Sequence, residues 1–298
     1  MSTFLELLFA GIALGAVYAL VALGFTVVFR ASRVINFAQG ELLALGAFVV
    51  SWLVIDIHVP FWLAFVVGAA GTGLAAFIFQ QGVLRFALGR PDFTIVMLTL
   101  GLATVLQAVL PTLFGSTGRA NGDPWGGTSV RAGDVALAWV QVWTIVAALL
   151  VLAAFWVFNN HSKYGLAMRS AASDPEAALA VGVPLRRVYA TAWVLAGVVA
   201  CIGGVFLGGY PNTVDPNIGN TALLAFPAII LGGIDSTTGA VVGGFLIGIV
   251  EELTAGYQPQ YASWLGSNFY LVAPYVLMII VLLIRPYGLF GSRPAERL

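Results

Sequence analysis

Charge is scarce in this sequence. Only 9% of its 298 residues are Asp, Glu, Lys or Arg, against roughly 25% in soluble globular domains. With 60% hydrophobic residues and a mean hydropathy of +0.97, a soluble fold is excluded and a polytopic membrane protein is indicated. Lysine occurs once, as Lys163 in "HSKYGL", so there is no G-x-x-x-x-G-K-[ST] phosphate loop. G-x-S-x-G and H-E-x-x-H are also missing, and no enzyme activity is expected of this chain. The lone cysteine, Cys201, excludes an internal disulfide and reads as a small buried hydrophobe. The two histidines, His58 and His161, have no metal-ligand spacing around them, so no metal site is expected. No basic patch with interleaved aromatics occurs, which excludes nucleic acid as a partner. The spans also lack the buried acid–base chain found in many proton-coupled carriers.

What the chain does contain is apolar runs of bilayer length, about 20 residues each. They fall at 4–28, 37–55, 61–82, 93–114, 138–158, 188–209 and 268–285, with a further Gly-rich stretch at 222–252 interrupted by "GGIDSTTG". The start, "MSTFLELLFAGIALG", has no Lys or Arg before its apolar run and reads as a retained span, not a signal peptide. With the N-terminus outside and 222–252 folded as a hairpin, eleven of the thirteen basic residues lie inside. These are Arg30, Arg33, Arg85, Arg90, Lys163, Arg169, Arg186, Arg187, Arg285, Arg293 and Arg297. Only Arg119 and Arg131 lie outside, and so strong a bias fixes the orientation. A single tilted helix over 222–252 would put the last three arginines on the wrong side. The expected fold is therefore an all-α polytopic membrane protein with eight to nine transmembrane or re-entrant helices, one domain over 1–298. Stretches 36–48 and 221–245 could be related positions of an internal repeat.

Small residues recur at helix-packing spacing: Gly11 and Gly15, with Tyr18 near the same stripe, then Gly239 and Gly243, and Gly244 and Gly248. The stretch "VINFAQGELLALGAF" brings Asn36, Gln39 and Glu41 close together at the start of the second span. They could serve a polar path for a zwitterionic solute. They could equally hold inner helix ends together, Glu41 pairing with an arginine or favouring a helix N-terminus. A structural or gating cluster on the inner side is the reading preferred. Thr94 and Thr99 are weaker pathway candidates, with back-bonding to helix carbonyls as the alternative. Asn217 and Asn220, before the hairpin, are likewise weaker pathway candidates, with loop capping as the alternative, and Glu251 and Glu252 read as solvated residues at the outer end of the hairpin. The inside loop 159–187 carries a short helix, with Ser173 and Glu176 as an S-x-x-E capping box and Pro175 in its first turn. That helix runs on to Gly182, and Pro184 stops it. It is either a solvated connector or a docking element for a partner.

Within it, Glu176, Ala177, Ala178 and Gly182 resemble the EAA loop of ABC importer permeases. In order along the chain, "GIALGAVYALVALGFTVVF", "RVINFAQGELLALGAF", "YGLAMRSAASDPEAALAVGV", "AFPAIILGGIDSTTGAVVGG" and "RPYGLFG" together resemble the LivH-type permeases of branched-chain amino acid ABC importers. One departure is "GGIDSTTGA", with Asp235 and Thr237–Thr238 where the pattern is closer to G-G-x-G-S-x-x-G-A. The resemblance implies a subunit of a bacterial inner-membrane importer whose loop 159–187 couples to the ATPase. It implies a second homologous permease, two cytoplasmic ATP-binding subunits and an extracytoplasmic solute-binding protein. ATP and Mg would be bound by those partners, with no cofactor in this chain, and loops 115–137 and 210–221 would receive substrate outside. The alternatives are a stand-alone channel or secondary carrier for a small polar solute such as urea or an amide, and a membrane assembly protein without transport.

Overall fold

A computed structural model describes residues 2–87, 90–132, 135–209 and 211–291. Helix α1 (Ser2–Ser32) is followed by α2 (Gln39–Ile55), α3 (Phe61–Gly82) and α4 (Asp92–Phe114). A two-stranded antiparallel hairpin, β1 (Ser129–Ala132) and β2 (Val135–Ala138), pairs Ser129 with Ala138 and leads into α5 (Trp139–His161). Two short helices follow, α6 (Lys163–Ser173) and α7 (Pro175–Ala180), then α8 (Leu185–Leu207). A 3-10 segment (Ile218–Ala225) runs directly into α9 (Phe226–Gly232), and α10 (Thr237–Tyr261) and α11 (Phe269–Ile284) complete the described helices.

Six of these, α1, α3, α4, α5, α8 and α10, are long and apolar enough to cross a membrane. Three more apolar segments are shorter: Gln39–Ile55, Ile218–Gly232 and Phe269–Ile284. Length and composition thus identify six candidate spans among the described residues; the expected eight to nine depends on the short segments.

Helix α1 is the axis of the bundle. Its apolar window is 83% buried, against 17% for α4 and α5, so α1 is a core helix and the other two form the perimeter. It packs against α10, α8 and α5, while α8 also packs against α3 and α2. The composition of α1 permits this. With lipid on no side, small residues let neighbouring backbones come close. Gly11 faces the backbone of Ile249, Gly15 that of Phe245, and Gly244 and Gly248 face Ala19 and Gly15. Gly239 and Gly243 look the other way, onto Gly232 and Ala228 of α9.

The chain reverses between α9 and α10, at Gly233 (φ 103°). The Ser236 hydroxyl accepts a hydrogen bond from Gly239 N (3.0 Å) and caps α10, as expected of an N-terminal serine. The hairpin's second arm continues to Tyr261, well beyond the expected 252. "RPYGLFG" has a defined place in this geometry. After a turn at Gly288 (φ 78°), Leu289 N donates to Leu231 O (2.8 Å) and Phe290 N to Gly232 O (3.0 Å). The tail so satisfies carbonyls that the end of α9 leaves open.

The two ends of the bundle differ in charge. Arg30 and Arg169 line one small cavity with Thr237, Arg33 reaches α6, and Arg186 reaches the end of α3. At the opposite end Arg119 forms an ion pair with Asp56, and Glu6 accepts from Ala136 N (3.3 Å). There Arg119 and Val214 also pair as an antiparallel bridge, which joins loop 115–137 to the loop after α8. Arg293 and Arg297 lie outside the described residues.

Candidate functional site

The turn between α1 and α2 is the most polar buried part of the chain. Arg33 opens it in the left-handed region (φ 59°), uncommon for a residue other than Gly, and its Nη2 donates to Ala172 O of α6 (2.6 Å). Asn36 and Gln39 are fully buried. Asn36 Oδ1 accepts from Ala38 N (3.0 Å) and closes the turn, while its Nδ2 donates to Gln39 Oε1 (3.2 Å). Gln39 Nε2 in turn donates to Ala196 O of α8 (3.1 Å), and the amide lies where a Cβ on Gly24 of α1 would stand. From α4, the Thr99 hydroxyl donates to Val96 O (2.8 Å) and accepts from Phe37 N (3.3 Å). Asn36, Gln39 and Thr99 therefore tie four elements together around one turn. Thr94 is half-buried in the first turn of α4, and no hydrogen bond ties its side chain to the cluster.

Glu41 sits in the first turn of α2 and is 7% exposed. It pairs with no arginine among the described residues. The helix N-terminus favours its charge, and its carboxylate lies against Gly219 of the 3-10 segment. One of its oxygens, Oε2, is buried without a hydrogen-bond partner.

Deeper in the bundle, the Tyr18 hydroxyl donates to Glu251 Oε2 (2.8 Å). The two side chains are 1% and 5% exposed. Helical side chains lean toward their own N-terminus, so on antiparallel α1 and α10 they lean toward each other. The expectation of a solvated Glu251 is overturned. At 1.5 Å per residue it lies about 21 Å from the start of α10, within a span and short of its end. Glu252 is half-buried on the same helix.

Gln80, near the end of α3, escaped the sequence reading. It is 1% exposed, and neither atom of its amide has a partner. With Asn36, Thr99 and Ser32 it lines a cavity of about 20 Å³, room for one ordered water. In sequence it is one of two adjacent glutamines closing an apolar run, and only its facing separates it from Gln81. Cys201 is fully buried against Gly46, as a packed hydrophobe. Asn217 and Asn220 are exposed, and Asp215 is the residue that caps there, accepting from Asn217 N (2.6 Å). No group of residues able to hold a metal ion is present among the described residues.

The inside loop is ordered by its own caps. Ser162 Oγ accepts from Gly165 N (2.8 Å) and starts α6. Ser173, expected as the next cap, is the last residue of α6. Asp174 caps α7 instead, its Oδ1 accepting from Glu176 N and Ala177 N, each at 3.0 Å. Gly182 (φ 84°) ends that helix, with Val183 N donating to Ala178 O (2.9 Å). Ala178 is buried, while Glu176, Ala177 and Leu179 are exposed and Val181 is 80% exposed.

A bundle of apolar spans, threaded by buried polar contacts and carrying a short exposed helix at its arginine-rich end, defines a multi-pass membrane protein of the permease type. The chain belongs to the family described as the branched-chain amino acid transport system permease component, whose model matches residues 7–282. It is 30% identical to the high-affinity branched-chain amino acid transport system permease protein LivH of Escherichia coli, over 99% of this chain and 97% of that one. It is 25% identical to LivM of the same organism, over 95% of this chain and 70% of that one. The solved structure of PsaBC from Streptococcus pneumoniae in complex with Fab overlaps 96% of this chain and 91% of its own, with a TM-score of 0.47 at 14% identity. That likeness is too loose to place any residue.

Proposed function

We propose that this chain is the membrane-spanning subunit of an ABC importer that moves branched-chain amino acids inward, driven by ATP hydrolysed on partner subunits. The observation that carries this reading is α7. A six-residue helix, fixed at both ends by Asp174 and Gly182, holds Glu176, Ala177 and Leu179 outward from the arginine-rich end. An exposed apolar surface beside spans that need no such connector suits the groove of a partner. Glu176, Ala177, Ala178 and Gly182 would couple to the ATPase, Ala178 by packing the helix down and the others by contact or shape. The arginine-rich end is then cytoplasmic by the positive-inside bias, with the N-terminus outside and the C-terminus inside a bacterial plasma membrane.

A LivM-like second permease, itself a relative of this chain, would complete the pathway, with two ATP-binding subunits inside and a solute-binding protein outside. ATP and Mg belong to the ATP-binding subunits. Asn36, Gln39 and Thr99 would form a fixed inner gate, linked through Arg33 to the segment that precedes α7. Glu41, with its unpartnered oxygen, is the group able to meet a substrate ammonium, and Tyr18 of α1 braces the path through its hydrogen bond to Glu251 of α10.

The test is reconstitution of the full importer with leucine as solute. Ala177→Trp and Gly182→Val should each abolish co-purification of the ATP-binding subunits and ATP-dependent uptake, while the chain itself still inserts. Leucine flux through liposomes holding this chain alone, without ATP, would overturn the reading.

A further inference from the structure

Outside the polar turn lies a groove of about 610 Å³ between α3, α6 and α8. Its two ends differ in chemistry. At the arginine-rich end stand Arg186, Arg187 and Tyr164; farther along stand Phe77, Val194 and Leu195.

Arg186 is held in place, with Nε and Nη2 both donating to Gln81 Oε1 (3.0 and 2.8 Å). Its acceptor is neutral, and it makes no ion pair among the described residues. Arg187 is exposed and makes no ion pair among the described residues. Both lie in the first turn of α8. Leu195 is eight residues beyond Arg187, about 12 Å along the helix, or most of one leaflet of a roughly 30 Å hydrocarbon core. Tyr164, 57% exposed, stands at the mouth, where an amphipathic ring suits the headgroup level.

Two adjacent cations alone would attract any soluble anion. The apolar wall above them adds nothing to such binding, and a protein docked on the arginines from the aqueous side would leave that wall uncovered. A ligand negative at one end and apolar for a dozen ångströms behind it meets both halves of the groove. We propose that this groove binds one anionic phospholipid, its phosphate on Arg186 and Arg187 and an acyl chain against Phe77, Val194 and Leu195. Basic pockets between spans are a known form of anionic-lipid site. The leaflet is the one on the α7 side, cytoplasmic under the reading above, whereas the lipid class is independent of the transported solute.

The test is native mass spectrometry of the purified importer, with phosphatidylglycerol and phosphatidylcholine of matched chains titrated in equal amounts. Phosphatidylglycerol should be retained preferentially. Arg186→Gln with Arg187→Gln should weaken that retention by about tenfold or more, at roughly a few-fold per cation. The Arg186→Lys, Arg187→Lys pair, which keeps both charges, should hold most of it and controls for folding. Equal retention of the two lipids, or no change in the glutamine variant, would overturn the proposal. Displacement of the lipid by inorganic phosphate at millimolar concentration would reduce the site to an anion site and overturn it too. So would displacement by the ATP-binding subunits on assembly, which would give the arginines to a protein interface.

Discussion

At the scale of the residue, the polar groups of this chain are spent on joining helices. Tyr18 and Glu251 show how that works and how it hides from a sequence reading. Glu251 reads as solvated because the polar letters after it, "ELTAGYQPQY", suggest that the span is over. The helix continues because that segment still packs on the beginning of α1, Gly256 lying against Leu7. Tyr18→Phe should strip a buried carboxylate of its donor and lower stability by about 1–2 kcal/mol. Glu251→Leu should cost a similar amount by orphaning the Tyr18 hydroxyl. The double variant should cost less than the two together, by a coupling of about 1 kcal/mol, measured as thermal unfolding in detergent. Strict additivity would mean that the hydrogen bond contributes nothing. Asn36 and Gln39 were legible as a polar cluster because their density is abnormal in an apolar chain. Gln80 was not, because burial without a partner leaves no trace in residue order.

At the scale of the element, spacing told more than polarity did. The four-residue glycine intervals in α1 and α10 are where those backbones meet, and the intervals at Gly239 and Gly243 are where α10 meets α9. Gly15→Val and Gly248→Val would drive a side chain into backbone, which cannot yield as a flexible neighbour can. Each should cost about 1–3 kcal/mol, as overpacking does. Gly71 and Gly101 have open space where a Cβ would go, so Gly71→Ala and Gly101→Ala should hold or raise the melting temperature, given alanine's higher helix propensity. The same measurement on the four variants separates packing glycines from tolerated ones. For α7, the S-x-x-E pattern pointed one residue too early. Ser173 is still inside α6, so the next residue able to accept hydrogen bonds, Asp174, takes the cap. Asp174→Ala should speed amide exchange over 176–180 by about fivefold, the equivalent of a cap worth about 1 kcal/mol. Ser173→Ala should leave it unchanged.

At the scale of the whole molecule, the distribution of arginines made the two ends of the bundle legible before any helix was placed. It also required the reversal near residue 233. The number of passes was less legible, because the 30 Å rule counts helices by length. Buried α2, packed on α8, α3 and α4, and the two-part segment before Gly233, packed on α10, α2 and α1, need not span the bilayer by themselves when neighbouring helices enclose them. Nor could composition tell that α1, about as apolar as α5, lies at the centre. That follows from its glycines and alanines admitting close neighbours, while Trp139, Trp143 and Trp156 of α5 remain exposed at the perimeter.

The tail strap on α9 bears on the order in which the protein is made. The carbonyls of Leu231 and Gly232 wait for the amides of Leu289 and Phe290, which a ribosome adds only after all of α10 and α11. Until then those two carbonyls lack the partners that the tail supplies. The final fastening of the bundle therefore falls after synthesis of α11, and a chain cut at Arg285 would lack the two amides that close α9.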